Sequence, residues 1–258
     1  MSMRCCVLGS GSRGNCTLVE SGGTRLLIDG GFSGREIARR LELIGHSVDR
    51  LTAILVTHEH NDHISGVGVL SRRCSLPVWA NGPTHRASSS RMKKLFCRRE
   101  FATGERFTIN GLEIHPFAVS HDTVDPVGFV ISDGHHTLGY CTDTGRITRL
   151  ISHHLSRCQG LILEANHDPQ MLMDGPYPMP LKQRVRSSQG HLANGEAGSF
   201  LRQICQASLR QVILAHLSET NNEPRLALET IQNSLGDLEH GLVLTVSTQD
   251  RPTPLITI

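Results

Sequence analysis

Thr57-His58-Glu59-His60-Asn61-Asp62-His63 places three imidazoles and two carboxylates in seven consecutive positions. Neutral imidazole suits zinc and other first-row divalent ions, and carboxylate oxygen suits harder ions such as manganese and magnesium. If the segment is extended, His58 and His60 share a face, because alternate side chains do. Asp62 and His63 are neighbours and diverge, so one short loop can serve two ions. The apolar, β-prone run 51–57 ahead of the cluster reads as a buried strand, and Gly66 and a helix follow. The ligand-rich stretch therefore sits at a strand's end, where layered folds build their sites. The chain holds 15 histidines, so clustering alone proves little. Three later positions add weight. His121 follows the apolar run 117–120, Asp143 follows 139–142, and His216 follows 212–215. Each repeats the pattern of a strand and then a ligand, and together they complete two ligand sets.

The rest of the chain bounds what surrounds such a centre. Its 258 residues are enough to bury a core without disulfides, and one domain is the expectation for 1–258. The 26 basic and 24 acidic residues nearly balance, so overall charge selects no partner. The N-terminus lacks a long apolar run and a cleavage-like segment, and no stretch approaches a membrane span. Eight cysteines without CxxC spacing read as reduced core residues of a cytoplasmic protein. Strand-type runs fall at 5–8, 16–20, 25–28, 53–56, 77–80, 113–119, 127–132, 137–141, 160–164, 211–215 and 242–246. Helix-type patterns fall at 33–44, 147–155, 194–207 and 223–235. Hairpin-like strands in runs, with helices between, predict two sheets covered by helices rather than a regular parallel βαβ array.

Gly9-Ser10-Gly11-Ser12-Arg13-Gly14 follows the first strand but is followed by another strand, not the helix that a dinucleotide loop requires. Neither nicotinamide nor flavin is expected; the loop reads as a tight turn presenting Ser12 and Asn15 to a site. Asp29, after the strand ending at Ile28, is either a turn residue or a carboxylate orienting a ligand histidine.

The order HxHxDH, then His, Asp and His, together with Leu27-Ile28-Asp29-Gly30, resembles the metallo-β-lactamase superfamily. The resemblance implies an α/β fold, a four-layer αββα sandwich with two divalent ions at one edge of the sheets. By position, it implies His58, His60 and His121 on one ion and Asp62, His63 and His216 on the other. Asp143 would bridge both, with a hydroxide between the ions as nucleophile. A cysteine stands at the Asp143 position in class B1 β-lactamases, so lactam hydrolysis is not expected. Residues 8–16, Glu164-Ala165-Asn166-His167-Asp168, Tyr177-Pro178-Met179-Pro180-Leu181-Lys182, Gly190-His191-Leu192-Ala193-Asn194 and 216–222 resemble the YycJ/WalJ branch, described as 5′-to-3′ exonucleases on duplex DNA. Ala193 stands where that branch leads one to expect Ser, which removes one possible hydroxyl contact.

Phosphodiester hydrolysis also needs a proton for the leaving alkoxide and cations for the backbone. Asp62, His191 and His167 are the candidate catalytic residues, with His191 first as phosphate donor or general acid. Ser12, Asn15, Lys182, His191, Asn194 and Asn222 are the candidate substrate contacts. The basic stretch 86–99 is either a solvated helix face or a further nucleic-acid contact. With few aromatics, backbone tracking fits better than base stacking. Zinc, manganese and iron all suit the mixed His/carboxylate set. Two other readings share these residues: a glyoxalase II-like thioesterase or cyclic phosphodiesterase, and a non-catalytic metal-bound module that associates with DNA.

Overall fold

Alternating apolar residues that are buried on both faces build the centre of the molecule. In the computed structural model, which describes residues 2–205, 208–239 and 241–258, fourteen strands form two sheets of seven among the described residues. The first holds β1 (Arg4–Gly9), β2 (Cys16–Ser21), β3 (Thr24–Ile28), β4 (Ala53–Leu55), β5 (Pro77–Asn81) and β6 (Cys97–Phe101), with β14 (Ile256–Thr257) beside β1. The second holds β7 (Phe107–Ile109), β8 (Leu112–Ala118), β9 (Val127–Ser132), β10 (Thr137–Cys141), β11 (Gly160–Glu164), β12 (Gln211–Ala215) and β13 (Val243–Val246), adjacent in sequence order.

Helices cover both outer faces. Against the first sheet lie α1 (Gly34–Leu43), α2 (Asn61–Ile64), α3 (Val67–Arg73) and α4 (Gly82–Met92). With the second go α5 (Arg149–Leu155), α6 (Pro169–Asp174), α7 (Met179–Val185), α8 (Asn194–Ile204) and α9 (Pro224–Leu235). Leu26 and Ile28 of β3 meet Ile213 and Ala215 of β12 between the sheets. Leu27, between them in sequence, faces the opposite way and packs with Ile37, Leu41 and Val67 of the helices. In the second sheet Val212 and Leu214 turn outward onto Phe200, Leu201 and Ile231. The result is the expected four-layer αββα sandwich. Even the neighbours Cys5 and Cys6 obey the alternation, one in the central core and one under the helices. Among the described residues no cysteine is in a disulfide.

Each sheet is half hairpin and half parallel. Strands β1–β3 and β7–β10 pair antiparallel, whereas β3–β6 and β10–β13 pair parallel. The expectation of hairpin-like strands therefore holds for the first half of each sheet only. Parallel neighbours need long crossovers, and the helices supply them. The basic stretch 86–99 is not one helix. It comprises the end of α4, a turn, and the start of edge strand β6, whose Arg98, Arg99 and Glu100 are exposed. Charge on an edge strand opposes edge-to-edge pairing and hides the apolar alternation that marks a strand. No helix among the described residues is long and apolar enough to cross a membrane. The expected helix 194–207 runs to Ile204, and its positions 206 and 207 lie outside the described residues.

The start of α8 explains the departure at Ala193. Ala193 is the N-cap residue; the Glu196 carboxylate accepts from its backbone N–H at 3.1 Å, while Ala193 has no side-chain oxygen to return the bond. A serine there would complete a capping box. Its hydroxyl would serve the helix rather than a substrate. Ala193→Ser is expected to raise the unfolding free energy by about 0.5–2 kcal/mol in urea titrations; a variant no more stable than the parent would show that the cap is not available.

Candidate metal centre

Strand ends at one edge of the sandwich deliver the ligands. Asp29 follows β3, Asp143 lies two residues beyond β10, and His216 follows β12. All three adopt left-handed backbone, with φ of 61°, 55° and 56°. For residues other than glycine this costs about 1–3 kcal/mol each and persists only where the surroundings enforce it. Residues 57–60 leave β4 as an irregular loop, and α2 begins at Asn61, earlier than the helix expected after Gly66. Gly31 lets the loop after β3 approach α2: a Cβ there would fall 1.6 Å from the Asp62 carbonyl oxygen.

Two triads converge. Donor atoms of His58, His60 and His121 lie within 4.8 Å of one another, as do those of Asp62, His63 and His216. The Asp143 carboxylate stands between them. Its Oδ2 is 3.4 Å from His63 Nε2, and its Oδ1 is 3.5 Å from His216 Nε2 and 3.8 Å from His121 Nε2. His60 Nδ1 and His121 Nε2 face each other at 3.3 Å. Two nitrogens bound at about 2.0–2.1 Å to one tetrahedral ion stand about that far apart. His58 Nε2, His216 Nε2 and Asp143 Oδ2 are buried with no hydrogen-bond partner among the described residues. Such orphaned groups cost about 1–3 kcal/mol each unless something satisfies them. Divalent cations fit this donor set.

Beneath the ligands lies a layer of acceptors that fixes which nitrogen of each ring faces inward. Asp29, fully buried, accepts from His63 Nδ1 at 2.8 Å and from the Thr57 amide and hydroxyl at 2.8 and 2.9 Å. Of the two roles open to Asp29, orienting a ligand histidine is the one its geometry serves. Glu164 Oε1 accepts from His216 Nδ1 at 2.9 Å and from His191 Nδ1 at 2.8 Å. Its Oε2 accepts from the Thr144 and Leu192 amides. The Gly190 carbonyl accepts from His121 Nδ1 at 3.1 Å. His63, His121 and His216 thus each present Nε2 inward.

Charge follows from the same geometry. Burial holds the His58 imidazole well below its usual range, so it stays neutral with a free lone pair. Burial also opposes protonation of His63 and His216 but is outweighed. Asp143, Asp29 and Asp62 raise His63 well above the usual imidazole range, and Asp143, Asp62 and Glu164 push His216 up to about 10. Burial would raise the Asp143 carboxyl, yet His216, His63 and His58 hold it well below the carboxylate range. Glu164, equally buried, is brought to about 2, chiefly by His191 and His216.

The triads open into a cleft of about 240 Å³ lined by His60, Asp62, His121, Asp143, His191 and His216, with Ser12, Tyr177 and Arg184 among the other walls. Several expected contacts lie elsewhere. Asn15 is buried under the metal loop, where its Nδ2 donates to Asp62 Oδ2 at 3.3 Å and its backbone N–H to the Asp62 carbonyl at 2.7 Å. It positions a ligand rather than a substrate. Lys182 Nζ donates to the Met173 carbonyl at 2.6 Å, bracing α7 against α6. Asn194 and Asn222 exchange side-chain hydrogen bonds at 2.9 Å, and Asn222 also donates to the Ala165 carbonyl. Their polar groups are spent on the fold. His167 is buried outside the cleft, and burial lowers its pKa to about 4. It is neither placed nor charged to protonate a leaving group, so of the two candidates only His191 faces the cleft. Glu164 was missed as a site residue, although as the last residue of an apolar strand it follows the signal that marked the ligands. Arg184 lines the cleft and pairs there with Asp122.

Protons and cations compete for the same atoms. With His216 at about 10 and His63 also raised, both rings carry protons at neutral pH unless a metal displaces them, so affinity should weaken as pH falls. Calorimetric titration with Mn²⁺ or Zn²⁺ in two buffers of different ionisation enthalpy should show release of at least about one proton, and about tenfold weaker binding per pH unit lost. Identical heats in the two buffers would contradict this.

A family profile described as "Beta-lactamase superfamily domain" matches residues 24–217. The chain is 35% identical to exodeoxyribonuclease WalJ of Streptococcus pneumoniae, over 98% of this chain and 97% of that one. It is 32% identical to exodeoxyribonuclease YycJ of Bacillus anthracis, over 94% and 92%. Among solved structures, the metallo-β-lactamase-fold protein YhfI from Bacillus subtilis superposes with a TM-score of 0.76 at 17% identity, covering 98% of this chain and all of that one. Human short-form tRNase Z superposes with a TM-score of 0.67 at 15% identity, over 98% and 99%. Likeness at such identities speaks for the fold alone. By the family match and the two near-full-length relatives, the chain belongs to the beta-lactamase superfamily, as a hydrolase of the metallo-β-lactamase fold related to WalJ and YycJ.

Proposed function

We propose that this hydrolase is a DNA exonuclease working from the 5′ end toward the 3′ end with two divalent ions, zinc, manganese or iron. The observation that carries the reading is Asp143, a carboxylate within 3.8 Å of ligand nitrogens from both triads. The DNA substrate is supported by the names of the two relatives, both exodeoxyribonucleases. When bound, two ions supply a nucleophile at neutral pH and neutralise charge that builds on a phosphoryl group.

The remaining work belongs to the chain. Asn15 and α2 hold the Asp62 carboxylate toward its triad. Glu164 orients His191 through Nδ1, which leaves His191 Nε2 for the cleft, where it can bond a phosphoryl oxygen or pass a proton to the leaving sugar oxygen. Glu164 remains ionised and stabilises that imidazole when it carries charge. Ser12, Tyr177 and Arg184 flank the cleft and provide hydroxyl and guanidinium donors for phosphate oxygens. At about 240 Å³ the cleft lies below the ~300–1,000 Å³ of typical small-molecule sites, which favours one chain end over a duplex.

Duplex DNA labelled at either 5′ or 3′ ends and incubated with Mn²⁺ and the protein tests both polarity and substrate. Labelled mononucleotide should appear first from the 5′-labelled strand. Asp143→Asn should lower kcat by about 100-fold or more. Glu164→Gln, which loses the acceptor of two imidazoles, should lower activity or metal affinity by about 10–100-fold. Robust thioester turnover with DNA left intact would replace this reading with the small-molecule one, and normal digestion by Asp143→Asn would sink the two-metal mechanism.

A further inference from the structure

Positive charge is unevenly distributed along this chain. Residues 72–99 contain eight of its 26 cationic residues and none of its 24 acidic ones, which leaves 18 cationic against 24 acidic elsewhere. The eight are Arg72 and Arg73 at the end of α3, Arg86 and Arg91 on α4, Lys93 and Lys94 in the following turn, and Arg98 and Arg99 on β6. All are exposed. Among the described residues only Arg98 is in an ion pair, with Glu100; the other seven have no acidic partner. A charged run on a helix is usually a solvated face, but this one spans three elements and is built into one ridge. The Arg72 guanidinium donates to the Met92 and Lys94 carbonyls at 2.9 and 2.7 Å, and Ser71 Oγ accepts from the Phe96 amide at 3.0 Å. Lys93 is held in left-handed backbone with φ of 59°.

The ridge adjoins the metal centre. Arg91 Nη1 donates at 2.6 Å to the carbonyl of Glu59, the residue between the ligands His58 and His60. The Glu59 carboxylate in turn accepts from the Val124 amide, so α4 is tied to the loop that carries the metal ligands. We propose that this ridge is the track for duplex DNA beyond the scissile bond, holding its phosphates while one chain end enters the metal cleft. The proposal rests on the DNA reading above and adds the surface that reads the polyanion. Cations spread over two dimensions suit a duplex, and Phe96 supplies a single exposed ring rather than a stacking platform.

The test is the salt dependence of binding to a 5′-labelled 20-base-pair duplex by the metal-loaded protein, compared with hydrolysis of bis(p-nitrophenyl) phosphate. The small diester reports on the metal centre and is too short to reach Arg86 or Lys94. In the triple variant Arg86→Ala/Lys93→Ala/Lys94→Ala, the slope of log K against log salt should fall by about 2–3, since each phosphate contact contributes about 0.9. Small-diester turnover should stay within twofold of the parent. Arg225→Ala, a cation on α9, should leave the slope unchanged. A parent-like slope in the triple variant, or an equal loss in Arg225→Ala, overturns the ridge while leaving the nuclease reading intact. Turnover of the small diester by a parent protein that binds no DNA at low salt overturns the DNA reading and the ridge with it.

Discussion

Four carboxylates, Asp29, Asp62, Asp143 and Glu164, converge on one group of imidazoles, and two of them, Asp29 and Glu164, are fully buried. Concentrated negative charge in a low-dielectric setting is tolerable only where cations or protons balance it. The ligand geometry follows from this constraint. Protonated His63 and His216 offset the charge in part, and orphaned ring nitrogens beside Asp143 mark where a stronger cation fits. The two acceptors beneath, Asp29 and Glu164, divide the work. One holds a single ligand through a network closed by Thr57, whereas the other holds a ligand and a cleft residue on the same oxygen. Glu164 therefore couples His216 to His191.

The sandwich makes such a cluster attainable. Parallel strands in each sheet end at the same edge, so β3, β4, β10 and β12 can each send a side chain toward one point. The left-handed backbone at Asp29, Asp143 and His216 is the local cost of turning those side chains inward. Rigid cores on both faces of each sheet are what can hold that strain. A helical scaffold would present ligands at fixed intervals along an axis; here ligands far apart in sequence meet because strands end together.

The same physics explains what could be read in advance. The proposed metal ligands at strand ends leave a sequence trace, an apolar run broken by His or Asp, which His58, His121, Asp143 and His216 carry. The four-layer architecture was likewise legible from strand runs and from the resemblance that the ligand order carries. The roles of Asn15, Lys182, Asn194 and Asn222 left no such trace. An amide or ammonium looks the same in sequence whether it meets a substrate or a carbonyl, and only the three-dimensional path of the chain decides. His167 and His191 occupy similar Gly/Asn-flanked loops, yet one is buried behind the cleft and the other lines it. Elements α4 and β6 escaped notice because their cations and serines mask the period of the few residues they bury.

The division between cleft and surface bears on how a hydrolase of this fold selects its substrate. A phosphoryl group in the cleft meets donors that would serve any phosphodiester, so the metal centre alone discriminates little between a nucleic acid and a small ester. Discrimination in favour of a polyanion must come from cations outside the cleft, where they contribute through counterion release and act only on long substrates. In this chain the acid-free segment richest in cations, 72–99, is bonded through Arg91 to the loop that carries the proposed metal ligands, so binding along the ridge and chemistry in the cleft would be joined through Glu59 and Arg91. Remote binding energy of this kind raises the occupancy of a chain end at the metals without altering the groups that react there.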